Sequence, residues 1–488
     1  MKKSLFLFTI ILSGFIMAQE KQLAWDLYYS YENFKEKTLT NRRFKHSDII
    51  PLIEQAKNNK NFKVDKVGTS AEERDIHLIS VGNGNKKVFL WSQMHGDEPT
   101  ATAAIFDILN FFYAENEFVE FKNFLLSNLT LSFLPMLNPD GAELFQRRNI
   151  FEIDLNRDVQ RQQAPEAKIL KNVFDTLNAD FGFNLHDQSR EYSAGNTINP
   201  ASISFLAPAP DWEKTVTPIR ENAMKLIGTM LQALNEFIPA HIGKYSDDYE
   251  SRAFGDNFTK WGTSVVLLET GGWRNDREKQ FLRKINFIAL LTAFASIATE
   301  SYKEQTIEAY ESLPKNRELM MDVIFRNLKI KKNEHEFLVD IGINFEEKNL
   351  NDAKDYYLKA EIEDIGDLSV YAGYKEFDLN GYFIEAGKTK TDEITSIEEL
   401  KTLNVAGLFK AGYTNVLLIT EKYQHEFSEY KFNIAIKDAS KIYHEIKVEG
   451  NANFIIKREN EIRYAVVNGF LYDLQNIQNT NGSGIVYK

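Results

Sequence analysis

The sequence predicts an α/β domain followed by a mostly β region, and three features carry that expectation. Apolar, β-favouring runs at 129–137, 180–185, 263–268 and in the first half of 87–100 are interleaved with helical patterns at 101–112 and 165–177. The strands close in polar turns that hold His or a carboxylate, and strand ends of this kind are where α/β sheets place ligands. Past Pro314-Lys315-Asn316 the texture changes to short alternating runs at 323–325, 337–345, 356–365, 415–420, 431–436, 453–456 and 463–467. Alternation of that kind reads as a separate β-rich domain, with a sandwich among its possible forms.

Composition narrows the class. The chain has 488 residues, 43% apolar and 26% charged, which is globular and long enough for two or three domains. A formal charge of -12 argues against a nucleic-acid partner, since phosphate binding needs a basic patch, and none is expected. There is no Cys, so no disulfide forms and any divalent metal site must be built from nitrogen and oxygen. Lys2 and Lys3 precede an apolar run from Leu5 to Met17 and a small Ala18, the pattern of a signal peptide at 1–18. That run is too short to span a membrane comfortably, and no Cys follows it for a lipid anchor. The expected product is exported, periplasmic or secreted, with no stable membrane insertion. It has a catalytic domain at 19–315 and a β-rich accessory domain of unassigned role at 316–488.

Taken in order, residues 48–58 read as a short amphipathic helix and 63–68 and 75–82 as strands joined by the polar turn at 69–74. The next strand runs into His95-Gly96-Asp97-Glu98, and Pro99 suits the first turn of the helix behind it. An imidazole and a carboxylate three residues apart can converge on one cation, and nitrogen and oxygen donors suit zinc. The strand at 129–137 ends in the turn Asn138-Pro139-Asp140-Gly141. A polar cluster, Arg147-Arg148-Asn149 and Asp154-Leu155-Asn156-Arg157, follows it. The strand at 180–185 ends in His186. The last strand ends in Glu269, before Gly271-Gly272, which makes it a candidate general base. A long apolar helix at 279–302 should pack on the sheet. Further on, 398–403 reads as a helix and Asn468-Gly469 as a hairpin turn.

These elements, in this order, resemble the zinc carboxypeptidase family, the metallopeptidases like carboxypeptidase A, from about Val67 to Gly272. The resemblance implies a mixed central sheet flanked by helices and one Zn2+ held by His95, Glu98 and His186. Asp154 would brace the ring of His95, and Arg147, with Arg148 beside it, would stabilise the oxyanion. Asn156 and Arg157 would hold the terminal carboxylate of a peptide, and Tyr249, or alternatively Tyr245, would take the place of the family's mobile tyrosine. The implied reaction is release of C-terminal amino acids through a zinc-activated water that Glu269 deprotonates. Asp97 departs from the pattern, because digestive members carry arginine there. The same scaffold also serves amidases that cut cell-wall stem peptides or N-acyl amino acids. No folded pro-segment is expected, and the remaining histidines (His46, His77, His241, His335, His425 and His444) take no part.

Overall fold

A computed structural model describes residues 21–420, 423–438, 442 and 445–488. The expected signal peptide and His444 lie outside the described residues. Two compact units divide after Glu318: the first holds the chain up to that residue together with Asp352–Lys354, the second the rest.

Among the described residues, the first unit holds ten strands: β1 (Phe62–Thr69), β2 (Asp75–Val81), β3 (Lys86–Ser92), β4 (Leu129–Leu134), β5 (Phe181–Asp187), β6 (Tyr192–Ala194), β7 (Ile203–Leu206), β8 (Ile242–Lys244), β9 (Ser264–Thr270) and β10 (Asn316–Glu318). Eight of them form one mixed sheet in the order β1-β2-β4-β3-β5-β9-β7-β8. Its centre, β4-β3-β5-β9, is parallel, while β1, β2 and β7 add antiparallel pairs. The helices include α1 (His46–Lys57), α2 (Thr100–Tyr113), α3 (Pro139–Leu144), α4 (Pro165–Leu177), α5 (Pro218–Leu234), α6 (Phe254–Lys260) and α7 (Gln280–Thr299). The expected mixed sheet flanked by helices is what forms.

Alternation along β3 shows why this strand reads as one apolar run. Val88 and Leu90 join the core beneath α2, α5 and α7, whereas Phe89 and Trp91 join the core beneath α4 and α6. Successive side chains leave a strand on opposite faces, so a strand covered on both sides must be apolar throughout. Helix α7 is long and apolar enough to cross a membrane, but it is almost wholly enclosed in the first core. Pro99 sits just outside α2, at its cap, and not in the first turn. Helix α5 and the short β7 and β8 add elements beyond those anticipated from the sequence.

In the second unit, β11 (Met320–Lys332), β12 (His335–Leu350) and β13 (Asp355–Gly366) form an antiparallel series within an eight-stranded sheet, and a separate five-stranded sheet contains parallel pairs. The unit is mostly β, with a short helix at Ile397–Thr402 where one was expected. Asn468 and Gly469 join two antiparallel strands with φ of 47° and 76°, the two positive angles that a tight type I′ hairpin requires.

One buried ion pair ties the chain's early segment to the first core. Arg283 donates to both oxygens of Asp107, at 2.7 and 2.5 Å, and to the carbonyl oxygens of Leu39 and Glu36. Tyr31 and the Glu36 amide complete the carboxylate's partners at 2.9 and 2.6 Å. Both charged side chains are essentially inaccessible, so removing one leaves the other charge uncompensated in a dry interior. Asp107→Ala should lower the unfolding free energy in chemical denaturation by about 3–5 kcal/mol. Asp175→Ala, which breaks an exposed pair with Lys171, should cost about 1 kcal/mol or less.

Candidate metal centre and active site

The turn after β3 is shaped by close backbone packing. A Cβ on Gly96 would lie 2.1 Å from the carbonyl carbon of Gly141, and one on Gly141 would strike the side chain of Asn138 and the carbonyl of Arg148. The two glycine-bearing motifs of the sequence are therefore the two faces of one contact. Asn138 fastens it: its Oδ1 caps the Gly141 amide at 2.9 Å, and its Nδ2 donates to the carbonyls of Met94 and Arg147 at 3.3 and 3.4 Å. Asp140 anchors the far side of α3 by accepting from Ser70 and Arg74, each at 2.6 Å.

This scaffold holds His95 next to Glu98. His95 Nδ1 lies 2.7 Å from Glu98 Oε1, and His186 Nδ1 lies 2.7 Å from Glu98 Oε2. The Asp187 amide also donates to Glu98 Oε2, at 3.2 Å. Burial opposes a charge on Glu98, but the two imidazoles outweigh it and hold this carboxyl well below the ordinary range. His95, Glu98 and His186 are all buried, and their candidate ligand atoms lie within 4.8 Å of one another. Two imidazoles and a carboxylate converging in this way fit the donor set of a zinc site.

Asp154 uses both its oxygens. Oδ1 lies 3.2 Å from His95 Nε2 and accepts from the Asn156 amide at 2.9 Å, while Oδ2 accepts from Arg147 Nε and Nη2 at 3.1 and 3.0 Å. Burial alone would raise this carboxyl; the His95 hydrogen bond and the charges of His95, Arg147 and Arg157 bring it below the usual range. Arg147 also reaches Glu98 Oε1 at 3.3 Å, whereas Arg148 turns to the Glu152 carbonyl. Of the two adjacent arginines, Arg147 is the one at the centre.

Parallel pairing of β5 and β9 sets His186 beside Glu269. Burial first, and then the charges of Glu98 and Asp187, push the Glu269 carboxyl well above its ordinary range, against the opposing pull of Arg147 and Lys279. Lys279 was not singled out by sequence. It caps α7 in a left-handed conformation and binds Asp187 at 3.2 Å and the Thr270 carbonyl at 2.7 Å, while Thr100 donates to the same Asp187 oxygen at 2.6 Å. This group fixes the residue that follows His186.

Asn156 Oδ1 accepts from the Phe254 amide at 3.0 Å, and Arg157 Nε pairs with Glu250 at 3.1 Å. Tyr249 packs edge-on against Trp212. Burial first, and then Glu269 and Glu98, raise the pKa of the Tyr245 hydroxyl, against the opposing pull of Arg147. Asp97, in place of an arginine, is pushed up to about 6 by burial and by Glu98.

Residues 52–241 match the zinc carboxypeptidase family model. Among curated proteins, the chain is 27% identical over 124 residues to a probable carboxypeptidase 2 of Arthroderma benhamiae, covering 25% of this chain and 22% of that protein. It is 32% identical over 72 residues to carboxypeptidase SOL1 of Arabidopsis thaliana, covering 15% of each. The matched stretch thus spans less than a quarter of the length of either relative. Among solved structures, a metallo-carboxypeptidase from Burkholderia cenocepacia aligns at 15% identity and a TM-score of 0.43, over 53% of this chain and 70% of that one. One from Pseudomonas aeruginosa, in complex with (2-guanidinoethylmercapto)succinic acid, aligns at 17% and 0.40, over 53% and 70%.

The bracing of His95 gives a direct test. Asp154→Ala should weaken zinc affinity by about 10- to 100-fold without removing a ligand, read by titration against a competing chelator. Unchanged affinity would separate Asp154 from the metal centre.

Proposed function

We propose, from the match of residues 52–241 to the zinc carboxypeptidase family model, that the chain hydrolyses peptide bonds with zinc and releases C-terminal amino acids. The observation that supports this most is the convergence of His95, Glu98 and His186 with Glu269 registered beside His186. Bound to those three residues, zinc supplies a Lewis acid that polarises a carbonyl and lowers the pKa of water.

The chain's own groups supply the rest. Glu269 takes a proton from the attacking water and delivers it to the leaving nitrogen, so one carboxylate acts first as base and then as acid. Arg147, oriented by Asp154, offers N–H donors to the negative charge that develops on the scissile carbonyl. Asn156 and Arg157 bind the terminal carboxylate, for which a planar guanidinium is well shaped. Tyr245, which lines a cavity beside the strand that pairs with Glu269, is positioned to meet substrate in place of Tyr249. The burial of Glu98, His95 and His186 keeps bulk water from screening these charges. The signal-like pattern of residues 1–18 supports export to the periplasm or beyond.

Glu269→Gln should lower kcat by orders of magnitude while zinc content, measured by elemental analysis, stays at wild type. Activity near wild type would assign the proton transfer to another group. The terminal-carboxylate clamp is tested with free-acid and amidated forms of one peptide. Arg157 has a side chain 37% exposed, so the loss on amidation should be about tenfold, less than a fully buried pair would give. Arg157→Ala should discriminate little between the two forms. Equal cleavage of acid and amide by wild-type protein would favour the amidase alternative, on cell-wall stem peptides or N-acyl amino acids.

A further inference from the structure

Two tyrosines belong both to the surroundings of Glu269 and to a cavity of about 430 Å³. The Tyr245 amide donates at 3.0 Å to the carbonyl of Phe205, the neighbour of Ser204, which pairs with Glu269 across the sheet; Tyr192 and Tyr245 both line the cavity, with ring centroids 6.4 Å apart. Most of the remaining lining is charged. Lys214 is held by Asp247 and Asp248 at 2.9 and 2.8 Å, and Lys244 by Glu311 at 2.8 Å. Lys315 and Arg317 are different: both are exposed, both line the cavity, and neither forms a salt bridge among the described residues.

The backbone explains why these two cations stand together. Strand β10 pairs with β6, with Arg317 opposite Ser193 and Glu318 opposite Tyr192. Lys315 and Arg317 flank Asn316, and alternate positions on an extended chain share a face. Asn316 itself is fixed to Gln188 at 2.7 Å and to Ser204 at 2.9 Å, so this segment is braced against the strand that carries His186. The chain as a whole is acidic, with a net charge of -12, yet here two cations without a salt bridge stand in a concave wall, with Asp248 acting on Lys315 alone, and together they favour an anion.

We propose that this cavity is a subsite for an acidic side chain of the bound peptide, with Lys315 and Arg317 as its specificity-determining residues. The proposal rests on the peptide-hydrolase function above, and its test reads binding and not turnover. The probes are N-acetylated tetrapeptides in which a single Glu is moved through the last three positions, each paired with its Gln counterpart. Each pair is made as free acid and as amide, and titrated calorimetrically into metal-free full-length protein at low salt. At one position the Glu peptide should bind about fivefold more tightly than its Gln counterpart, as two partly exposed ion pairs allow. That ratio should fall close to one in Lys315→Gln/Arg317→Gln. Equal binding of Glu and Gln peptides at every position would overturn the proposal, and so would a preference that survives in the double variant. If the double variant instead loses discrimination between acid and amide, the two cations hold the terminal carboxylate and the side-chain subsite is wrong. Absence of hydrolysis with the binding preference intact would count against the catalytic function alone.

Discussion

The Glu98 carboxylate, held between the Nδ1 atoms of two buried imidazoles, is the interaction on which the site depends. A carboxylate enclosed this way is tolerable only where opposite charge and hydrogen bonds replace water on both oxygens. His95, His186 and the Asp187 amide provide them from two elements: the turn that follows β3, and the end of β5. The parallel pairing of β3 and β5 therefore has to be in register before the charge can be buried at all. A divalent cation in the same place would complete the compensation that the imidazoles begin.

Around that centre, each polar motif performs a backbone task and a chemical one. Asn138 caps a helix and also clamps the carbonyls of Met94 and Arg147, so that His95 and Arg147 are located by one side chain. Asp154 braces the imidazole, orients the guanidinium and caps the turn that carries Asn156 and Arg157. Little is duplicated. Such economy is the reason short motifs scattered over nearly two hundred residues could be seen as one site.

Legibility followed from how local each signal was. Strands covered on both faces, such as β3 and β9, are uninterrupted apolar runs, and residues that end them stand out. The residues brought together by packing alone were not readable. Lys279 lies at a helix start with a left-handed backbone and no glycine or asparagine to announce it. Strands β7 and β8 have four and three residues, too few to show a period. The end of the first unit is similar: Pro314 punctuates the sequence, yet the chain continues through Glu318 in the β10–β6 ribbon, whose pairing no local pattern reveals. Tyr249 and Tyr245 both sit in an acidic loop, and only the three-dimensional arrangement distinguishes the one against Trp212 from the one in the field of Glu269.

The pairing of Arg157 with Glu250 changes what recognition at that arginine means. The guanidinium is already matched by a carboxylate on the same chain, one it shares with Arg252. An arriving carboxylate therefore exchanges one ion pair for another, and its net gain is the difference between them. An isolated anion such as acetate offers nothing further and is held weakly. A ligand that also occupies neighbouring contacts shifts the exchange in its own favour. With Arg157 in the role proposed above, the internal carboxylate would act as a threshold, filtering out small anions that a bare guanidinium would retain and hastening departure of a product whose other contacts have been cut.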